Sequence, residues 1–242
     1  MEIQEAQKQA SAVKDDPLRF FKEAGELMQR GEFAKAAELY RAMLIVQPQH
    51  TGSWLNLGTA LRRLGHMEAS AACTRRALEL SPGQASALTN LGNCLVDLDR
   101  KEEALAVHAE AVRLKPDDFL VQRNYAIALR DFGEHARALT HFDIAVAMKP
   151  EDVSLAWDRA ITYLYLGRFE EGWKAFETRW HMGTLKSRDC AAPRWQGEDI
   201  SGKTLLVYEE QGFGDSILCS RYLPLIHARG GKVVLECKKP LH

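Results

Sequence analysis

The sequence predicts a mostly helical chain of stacked helix–turn–helix repeats, followed by one short β-α-β unit. Proline recurs every 34 residues, at Pro48, Pro82, Pro116 and Pro150. Within that period, small residues return at fixed positions, and two apolar stripes with helical spacing fill each repeat. After about residue 182 the helical period stops, and two short apolar runs typical of strands follow.

Each repeat is predicted to be a pair of helices that cross at small side chains. In the second repeat the helices are predicted near 52–64 and 68–80. Gly65 follows the first of them, where a helix end often requires the positive φ that glycine adopts readily. Pro82 ends the second, because proline cannot donate a helical hydrogen bond. The residues in register are Leu57, Leu91 and Tyr125; Gly58, Gly92 and Ala126; Ala36, Ser70, Ala104 and Ala138; and Ala77, Ala111 and Ala145.

The 34-residue period, its small residues and its terminal proline resemble the tetratricopeptide (TPR) repeat. The resemblance implies an α-solenoid wound as a right-handed superhelix, with a concave groove lined mostly by the first helices. The fifth repeat departs from the pattern, with Gly172 and Arg179 where alanine is usual. We expect 1–16 to be an N-terminal extension or capping helix. The solenoid would span 17–186, with repeats at 17–50, 51–84, 85–118, 119–152 and 153–186.

Composition and charge argue against several classes of protein. The chain has 242 residues, 46% of them apolar, and a net charge of −1, which disfavours electrostatic capture of nucleic acid or of an anionic membrane. No apolar run is long enough for a transmembrane helix, and the N-terminus lacks the apolar core of a secretory signal. A cytoplasmic protein is therefore expected. The five cysteines form no CxxC pair and the histidines show no metal-binding spacing, so no metal site is predicted.

A row of amide side chains recurs on the first helices. Asn56, Asn90 and Asn124 share one repeat position, and Asp158 is the next equivalent. An amide both donates and accepts hydrogen bonds, so a row of amides can bind the backbone of an extended peptide with little side-chain selectivity. The row is similar to the asparagine ladder in the TPR superhelix of protein O-GlcNAc transferases, which implies a peptide-binding scaffold. The alternative is that each asparagine caps or bonds locally within its repeat.

The last part of the chain predicts the opening of a Rossmann-like domain over 203–242, after a linker at 187–202. Strands are predicted at 204–209 and 232–237, with one helix between them from about 216 to 228. Such a unit should have parallel strands and a right-handed crossover.

The loop after the first strand carries the candidate site of this unit. A glycine-rich turn at a helix N-terminus exposes backbone N–H groups that favour an anion. Gly212 and Gly214 are therefore the candidate anion-binding residues. Asp215 follows them and could act as the N-cap of its helix.

The segments GRFEEGW at 167–173 and PRWQGEDISGKTLLVYEEQGFGDSILCSRYLPL at 193–225 resemble a specific bacterial family. In that family, TPR repeats precede a glycosyltransferase domain related to the lipopolysaccharide heptosyltransferases. The resemblance implies a two-lobed GT-B fold, a sugar nucleotide as donor, and Asp215 as general base in an inverting transfer. Only the first β-α-β unit of that domain falls within this chain. We therefore expect the chain to be a piece of a longer protein, without a cofactor and without sugar-nucleotide turnover of its own.

Two functions follow as hypotheses. The first is a protein- or peptide-binding scaffold that holds an extended segment in the groove. The alternative is the acceptor-presenting, N-terminal part of an inverting glycosyltransferase that acts on protein or glycan. Self-association through the C-terminal strands is a further hypothesis, because an unpaired strand edge invites pairing with another chain.

Overall fold

The structure, a computed structural model, describes residues 16–183, 192–210 and 212–237. The chain divides into two compact units, of which the first ends at Thr178 and the second begins at Arg179. Cys190, most of the predicted N-terminal extension and part of the predicted linker lie outside the described residues. In the described ranges, no helix is long and apolar enough to cross a membrane.

The first unit consists of consecutive pairs of α-helices, which confirms the predicted repeats. The first helices of the pairs are α1 (Pro17–Gln29), α3 (Thr51–Arg63), α5 (Ala85–Asp97), α7 (Phe119–Asp131) and α9 (Val153–Tyr165). The second helices are α2 (Phe33–Val46), α4 (Met67–Leu80), α6 (Lys101–Leu114), α8 (His135–Met148) and α10 (Phe169–Phe176). In the second repeat, the observed bounds lie within one residue of the predicted ones.

A residue with positive φ follows the first helix of every pair, as the sequence predicts. Gly65 has φ of 84°, and the same position is glycine in three other repeats. In the third repeat it is Asp99, with φ of 56°, the one non-glycine residue of the described chain that has positive φ. The turn satisfies helix-end carbonyls, since the N–H of His66 donates to Leu61 at 2.9 Å and that of Gly65 to Arg62 at 3.0 Å.

The helices of a pair cross closely because the residues at the crossing are small. A Cβ on Gly58 would lie 2.8 Å from Thr74 Oγ1 and 3.2 Å from the Ser70 carbonyl oxygen. The Ser70 hydroxyl donates to the Gly58 carbonyl at 2.6 Å, which satisfies a buried acceptor. The small residues predicted in register are all buried: Gly58, Gly92, Ala126, Ala36, Ser70, Ala104, Ala138, Ala77, Ala111 and Ala145.

Successive pairs pack through the second helix of one repeat and the first helix of the next. The first helices α3, α5, α7 and α9 also contact one another in sequence, and the second helices do so less. The stack is therefore tighter on the side of its first helices. We call the surface formed by α3, α5, α7 and α9 the first-helix face.

The fifth pair differs from the others in its second helix. That helix, α10, ends at Phe176 and is followed by a 3₁₀ helix, Glu177–His181. Gly172 lies against α9, and a Cβ there would come within 3.2 Å of the Leu164 backbone nitrogen. Glycine at this position, where alanine is usual, therefore lets α10 pack closely on α9.

The second unit contains β1 (Thr204–Tyr208), α11 (Phe213–Ser220), α12 (Leu223–Ala228) and β2 (Lys232–Glu236). The strands pair in parallel, with Thr204 opposite Lys232 and Tyr208 opposite Glu236, which confirms the predicted β-α-β unit. The prediction of one helix from 216 to 228 is wrong. Two helices are present, and Pro224 lies in the first turn of α12, where its missing N–H leaves no helical bond unmade.

The third repeat buries a histidine where the fourth has Phe142. His108 is fully buried, and neither ring nitrogen has a hydrogen-bond partner. Its ring lies against Gly92, where a Cβ would come 2.5 Å from Nε2, and it stacks on Tyr125 with ring centroids 6.2 Å apart. Burial lowers the pKa of His108 to about 4, so the folded chain holds this ring neutral.

We predict that His108 makes the repeat stack sensitive to mild acid. An exposed histidine has a pKa of about 6.5. Below that pH, the His108 ring is therefore protonated in the unfolded chain while it is still neutral in the folded chain. The free energy of unfolding should therefore fall as the pH drops from about 6.5 towards 4, and His108 should contribute a loss of about 2 kcal/mol between pH 7.5 and pH 5.

Urea denaturation at the two pH values measures this effect. The His108→Phe variant should lose that share of the pH dependence, because phenylalanine carries no titrating group. The control is His66→Gln, which changes an exposed histidine. Equal pH dependence in wild type and His108→Phe would contradict the prediction.

Candidate binding surface on the first helices

The structure places the predicted asparagines on the first-helix face, but in different surroundings. Asn56 donates from Nδ2 to the Tyr40 hydroxyl at 3.2 Å. Asn124 donates to the Leu120 carbonyl at 2.7 Å and accepts from Asn93 Nδ2 at 3.2 Å. Asn90 is half-buried and makes no side-chain hydrogen bond with any described residue. Local bonding, the alternative considered from the sequence, thus occurs at Asn56 and Asn124, while the Asn90 amide is available.

The fourth member of the row, Asp158, is held by two arginines. Its side chain is 12% exposed and lies 3.0 Å from Arg123 Nη2 and 3.0 Å from Arg130 Nη1. Both arginines belong to α7, so the carboxylate ties the fourth repeat to the fifth. Arg130 also bonds Asp131 at 3.3 Å, and its guanidinium lies 5.8 Å from the centre of the Phe142 ring.

Polar contacts of this kind link successive repeats along the first-helix face. Arg62 on α3 pairs with Asp97 on α5 at 2.5 Å. At the next junction, the Asn93 amide donates to Asn124. The Arg62–Asp97 and Arg123–Asp158 pairs are each 35 residues apart, which is one repeat plus one residue. Neither Asn93 nor Arg123 was predicted from the sequence. Opposite charges at this 35-residue spacing are the sequence signal that reveals the ion pairs.

The first-helix face therefore presents neutral hydrogen-bonding groups between compensated charges. Asn90 offers its whole amide, and Asn56 keeps its carbonyl oxygen and one N–H. Asn124 keeps one N–H, since its other amide groups are already engaged. Such groups can bond the C=O and N–H of a peptide backbone, while Asp158 is neutralised by its two arginines.

The glycine loop of the second unit precedes helix α11. Gly212 is the N-cap residue, with φ of −73° and ψ of 168°, and Asp215 lies exposed in the first turn. The alternative that Asp215 is the N-cap is therefore wrong. A Cβ at Gly212 or Gly214 would meet no atom within 4 Å, so packing does not require glycine there. The loop thus has open space beside its backbone, as an anion-binding turn would need.

Two glutamates next to this loop already have partners. Glu209 accepts a hydrogen bond from the Ser216 hydroxyl at 3.1 Å. Glu210 forms a bidentate ion pair with Arg179, at 2.9 and 3.0 Å. Gln211, between the glutamates and the glycines, lies outside the described residues. The predicted site residues of this unit therefore lie on a loop that is fixed in part by its own carboxylates.

In the part of the chain that the structure describes, two cysteines are buried, Cys219 is exposed and Cys237 is half-buried. No three His, Cys, Asp or Glu side chains there come close enough to hold a metal ion. Cys73 and Cys94 are buried, and burial raises the pKa of both thiols, which keeps them protonated and unreactive.

The helix pairs and their contacts define an α-helical repeat protein. The middle TPR-like domain of cilia and flagella-associated protein 70 matches residues 21–119, and the tetratricopeptide repeat family matches 124–178. Together with the 34-residue helix pairs, these matches show that the chain is a TPR-repeat protein.

Solved structures share the fold at low sequence identity. MamA is 20% identical with a TM-score of 0.56, over 64% of this chain and 91% of MamA. YrrB, described as a TPR protein with an unusual peptide-binding site, is 18% identical with a TM-score of 0.54, over 72% of this chain and 91% of YrrB. PilF of Pseudomonas aeruginosa is 19% identical with a TM-score of 0.60, over 70% of this chain and 76% of PilF. These likenesses establish the fold alone.

Among curated proteins, protein FlbA of Caulobacter vibrioides is 39% identical over 75 residues. The match covers 30% of this chain and 13% of FlbA.

We predict that Asp158 stabilises the junction between the fourth and fifth repeats. Asp158→Ala leaves Arg123 and Arg130, which are 28% and 17% exposed, without their shared anion. The free energy of unfolding should fall by roughly 2–4 kcal/mol, as when one partner of a buried ion pair is removed.

Guanidinium denaturation measures the loss. The matched control is Glu110→Ala, which breaks an exposed pair with Arg113 and should change stability much less, because solvent screens such a pair. If the two variants lose the same small amount, the inter-repeat pair does not hold the stack together.

Proposed function

We propose that this chain is a protein-binding scaffold that holds an extended peptide segment on its first-helix face. The observation that carries the proposal is Asn90, a half-buried amide in the middle of the row with no hydrogen bond to the described residues. A half-buried amide without a partner loses part of its hydration and regains it when a ligand backbone supplies a donor and an acceptor. Asn56 and Asn124 extend this surface by one repeat on either side, and Asp158 borders it.

Two further features support a peptide backbone as the ligand. The first helices of successive repeats approach one another more closely than the second helices do. A stack packed in this way would curve towards the first-helix side and form a groove there. The ion pairs within the face neutralise Asp97 and Asp158, so the groove favours hydrogen bonding over capture of a charged ligand. The likeness of the row to the ladder of O-GlcNAc transferases stays a prediction from the sequence.

Replacement of Asn90 by alanine tests the proposal without loss of an internal hydrogen bond. Peptides are first selected from a random-sequence phage library against the wild-type chain. Asn90→Ala should then weaken their binding roughly tenfold, and the triple alanine variant of Asn56, Asn90 and Asn124 more strongly still. Fluorescence anisotropy with the labelled peptides gives the dissociation constants.

The control for this experiment is an amide elsewhere on the surface. Gln49 is exposed in the turn before α3, and Gln49→Ala should leave peptide affinity unchanged. Circular dichroism checks that each variant remains folded. Unchanged affinity in Asn90→Ala, with selected peptides that bind the wild type, would refute the asparagine surface and leave the TPR fold intact.

A second candidate function concerns the C-terminal unit. We propose that residues 203–237 belong to a glycosyltransferase domain of a longer protein, whose TPR repeats present the acceptor. The parallel strands β1 and β2, the open loop at Gly212 and Gly214, and the exposed Asp215 in the first turn of α11 support this. A sugar nucleotide would be the donor, and Asp215 the base for the acceptor hydroxyl. Self-association through the C-terminal strands and a cytoplasmic location stay predictions from the sequence.

We predict that the 242-residue chain by itself turns over no sugar nucleotide, because a GT-B donor site requires a second lobe. The purified chain is incubated with a panel of nucleoside diphosphate sugars, and released nucleoside diphosphate is measured. The Asp215→Asn variant serves as the control for background hydrolysis. Release by the wild type above that of Asp215→Asn would overturn this prediction.

A further inference from the structure

The last helix of the repeat stack exposes two large aromatic side chains. Phe169 is 60% exposed and Trp173 is 57% exposed. They are four residues apart on α10, so they lie on one face of the helix. Trp173 also contacts the Phe176 ring edge to face, with centroids 5.5 Å apart. We call Phe169 and Trp173 the end stripe.

The opposite end of the stack has a different character. The outer positions of α1 are charged and exposed, where the same positions of α3 are mostly buried and lack charge. Charged outer faces are what keep the end of a repeat stack in solution. The charged side chains compared are those of α1 and its C-cap residue, Arg19, Glu23, Glu26 and Arg30, and their equivalents in α3 and its C-cap residue are Ser53, Leu57, Ala60 and Leu64. Among the described helices, α1 therefore exposes charged side chains, whereas α10 exposes aromatic rings.

The preceding repeats show what covers the position of Trp173. One period earlier, Leu139 is 8% exposed, and two further equivalents, Ala71 and Ala37, are almost completely buried. Each of these helices packs against the first helix of the following repeat. In these repeats, the position equivalent to Trp173 is thus covered by the first helix of the following repeat.

The position of Phe169 points to the same kind of partner. Its equivalent Phe33 has the guanidinium of Arg63 5.9 Å from its ring centre. Its equivalent His135 stacks on Tyr165, with centroids 4.7 Å apart and planes 5° from parallel. Arg63 and Tyr165 are the last residues of α3 and α9. At both junctions, the C-terminal end of the following repeat's first helix therefore places a planar or cationic group against the residue equivalent to Phe169.

We propose that the end stripe is a docking site for an amphipathic helix of a partner protein, lying where the first helix of a further repeat would lie. Tryptophan is much larger than the alanine or leucine at the equivalent positions, so the partner helix carries glycine or alanine where it crosses Trp173. Near its C-terminal end it carries arginine or an aromatic residue over Phe169, which binds through cation–π or ring contact. This surface is distinct from the asparagine face and does not depend on peptide binding there.

A second copy of this chain fits the end stripe poorly. Stacking head to tail would press Glu23 and Glu26 of α1 against aromatic rings, which costs free energy because the carboxylates lose their hydration. Pairing of two end stripes would set Trp173 against Trp173, with no small residue to receive either ring. A partner helix with small residues avoids both problems.

The test uses the full chain and a defined probe, a labelled peptide with the sequence of residues 51–64. This peptide corresponds to α3, which packs on α2 with Ala60 in the shared buried cluster and covers Phe33 with Arg63. We expect saturable binding to the wild-type chain in fluorescence anisotropy. Trp173→Ala and, independently, Phe169→Ala should weaken it at least roughly tenfold, and a peptide with Ala60→Trp should no longer bind, because Ala60 shares a buried cluster with Ala37, the equivalent of Trp173.

The matched control is Leu18→Ala, which removes a side chain of similar exposure, 64%, from the first repeat and should leave peptide binding unchanged. Circular dichroism confirms folding of each variant. Absence of peptide binding, or binding that neither Trp173→Ala nor Phe169→Ala weakens, would overturn the proposal. A later segment of the same chain would then be the expected occupant of the end stripe. A mass doubled in light scattering and restored to one copy by Trp173→Ala would assign the stripe to a second copy instead.

Discussion

The close crossing of two helices at small side chains is the constraint on which the rest of this structure depends. A single helix pair cannot bury both of its apolar faces, so each pair is completed by the next one. Gly58 meets Ser70 and Thr74 at distances that exclude a side chain, and the same geometry returns in the third repeat, where Gly92 meets His108. Because every junction uses the same positions, one local rule produces the whole stack.

The stacking also determines the chemistry of the first-helix face. Helices that approach each other at every period bring together side chains that are 35 residues apart, and the ion pairs Arg62–Asp97 and Arg123–Asp158 result. These pairs compete with ligand binding for the polar groups of the surface. Asp158 is fully used in holding its junction, whereas Asn90 is not. The amide groups that remain open for hydrogen bonding are therefore concentrated in the middle of the row.

The second unit obeys a different constraint. A parallel pair of strands is usually covered on both faces, because its crossover helix and neighbouring elements pack on them. Here Leu206, Val234 and Leu235 are 37%, 44% and 45% exposed, and the helices α11 and α12 expose Ile217 and Leu225. Two strands with two short helices bury little apolar surface. The described residues of this unit thus form a β-α-β connection with parallel strands that buries little apolar surface.

The sequence by itself determined the helix pairs, the bounds of the second pair within one residue, the glycine turns and the parallel strands, because these depend on local spacing and backbone freedom. It also placed Asn56, Asn90 and Asn124 in one register. It failed at the helix after β1, where Pro224 begins a second helix instead of continuing the first. Only the tertiary structure decided which asparagine keeps its amide available, since Tyr40 and Asn93 come from other helices to bond Asn56 and Asn124. Only the packing, likewise, showed that Trp173 lies exposed where its equivalents are covered, because burial is a property of neighbours that one repeat cannot specify for itself.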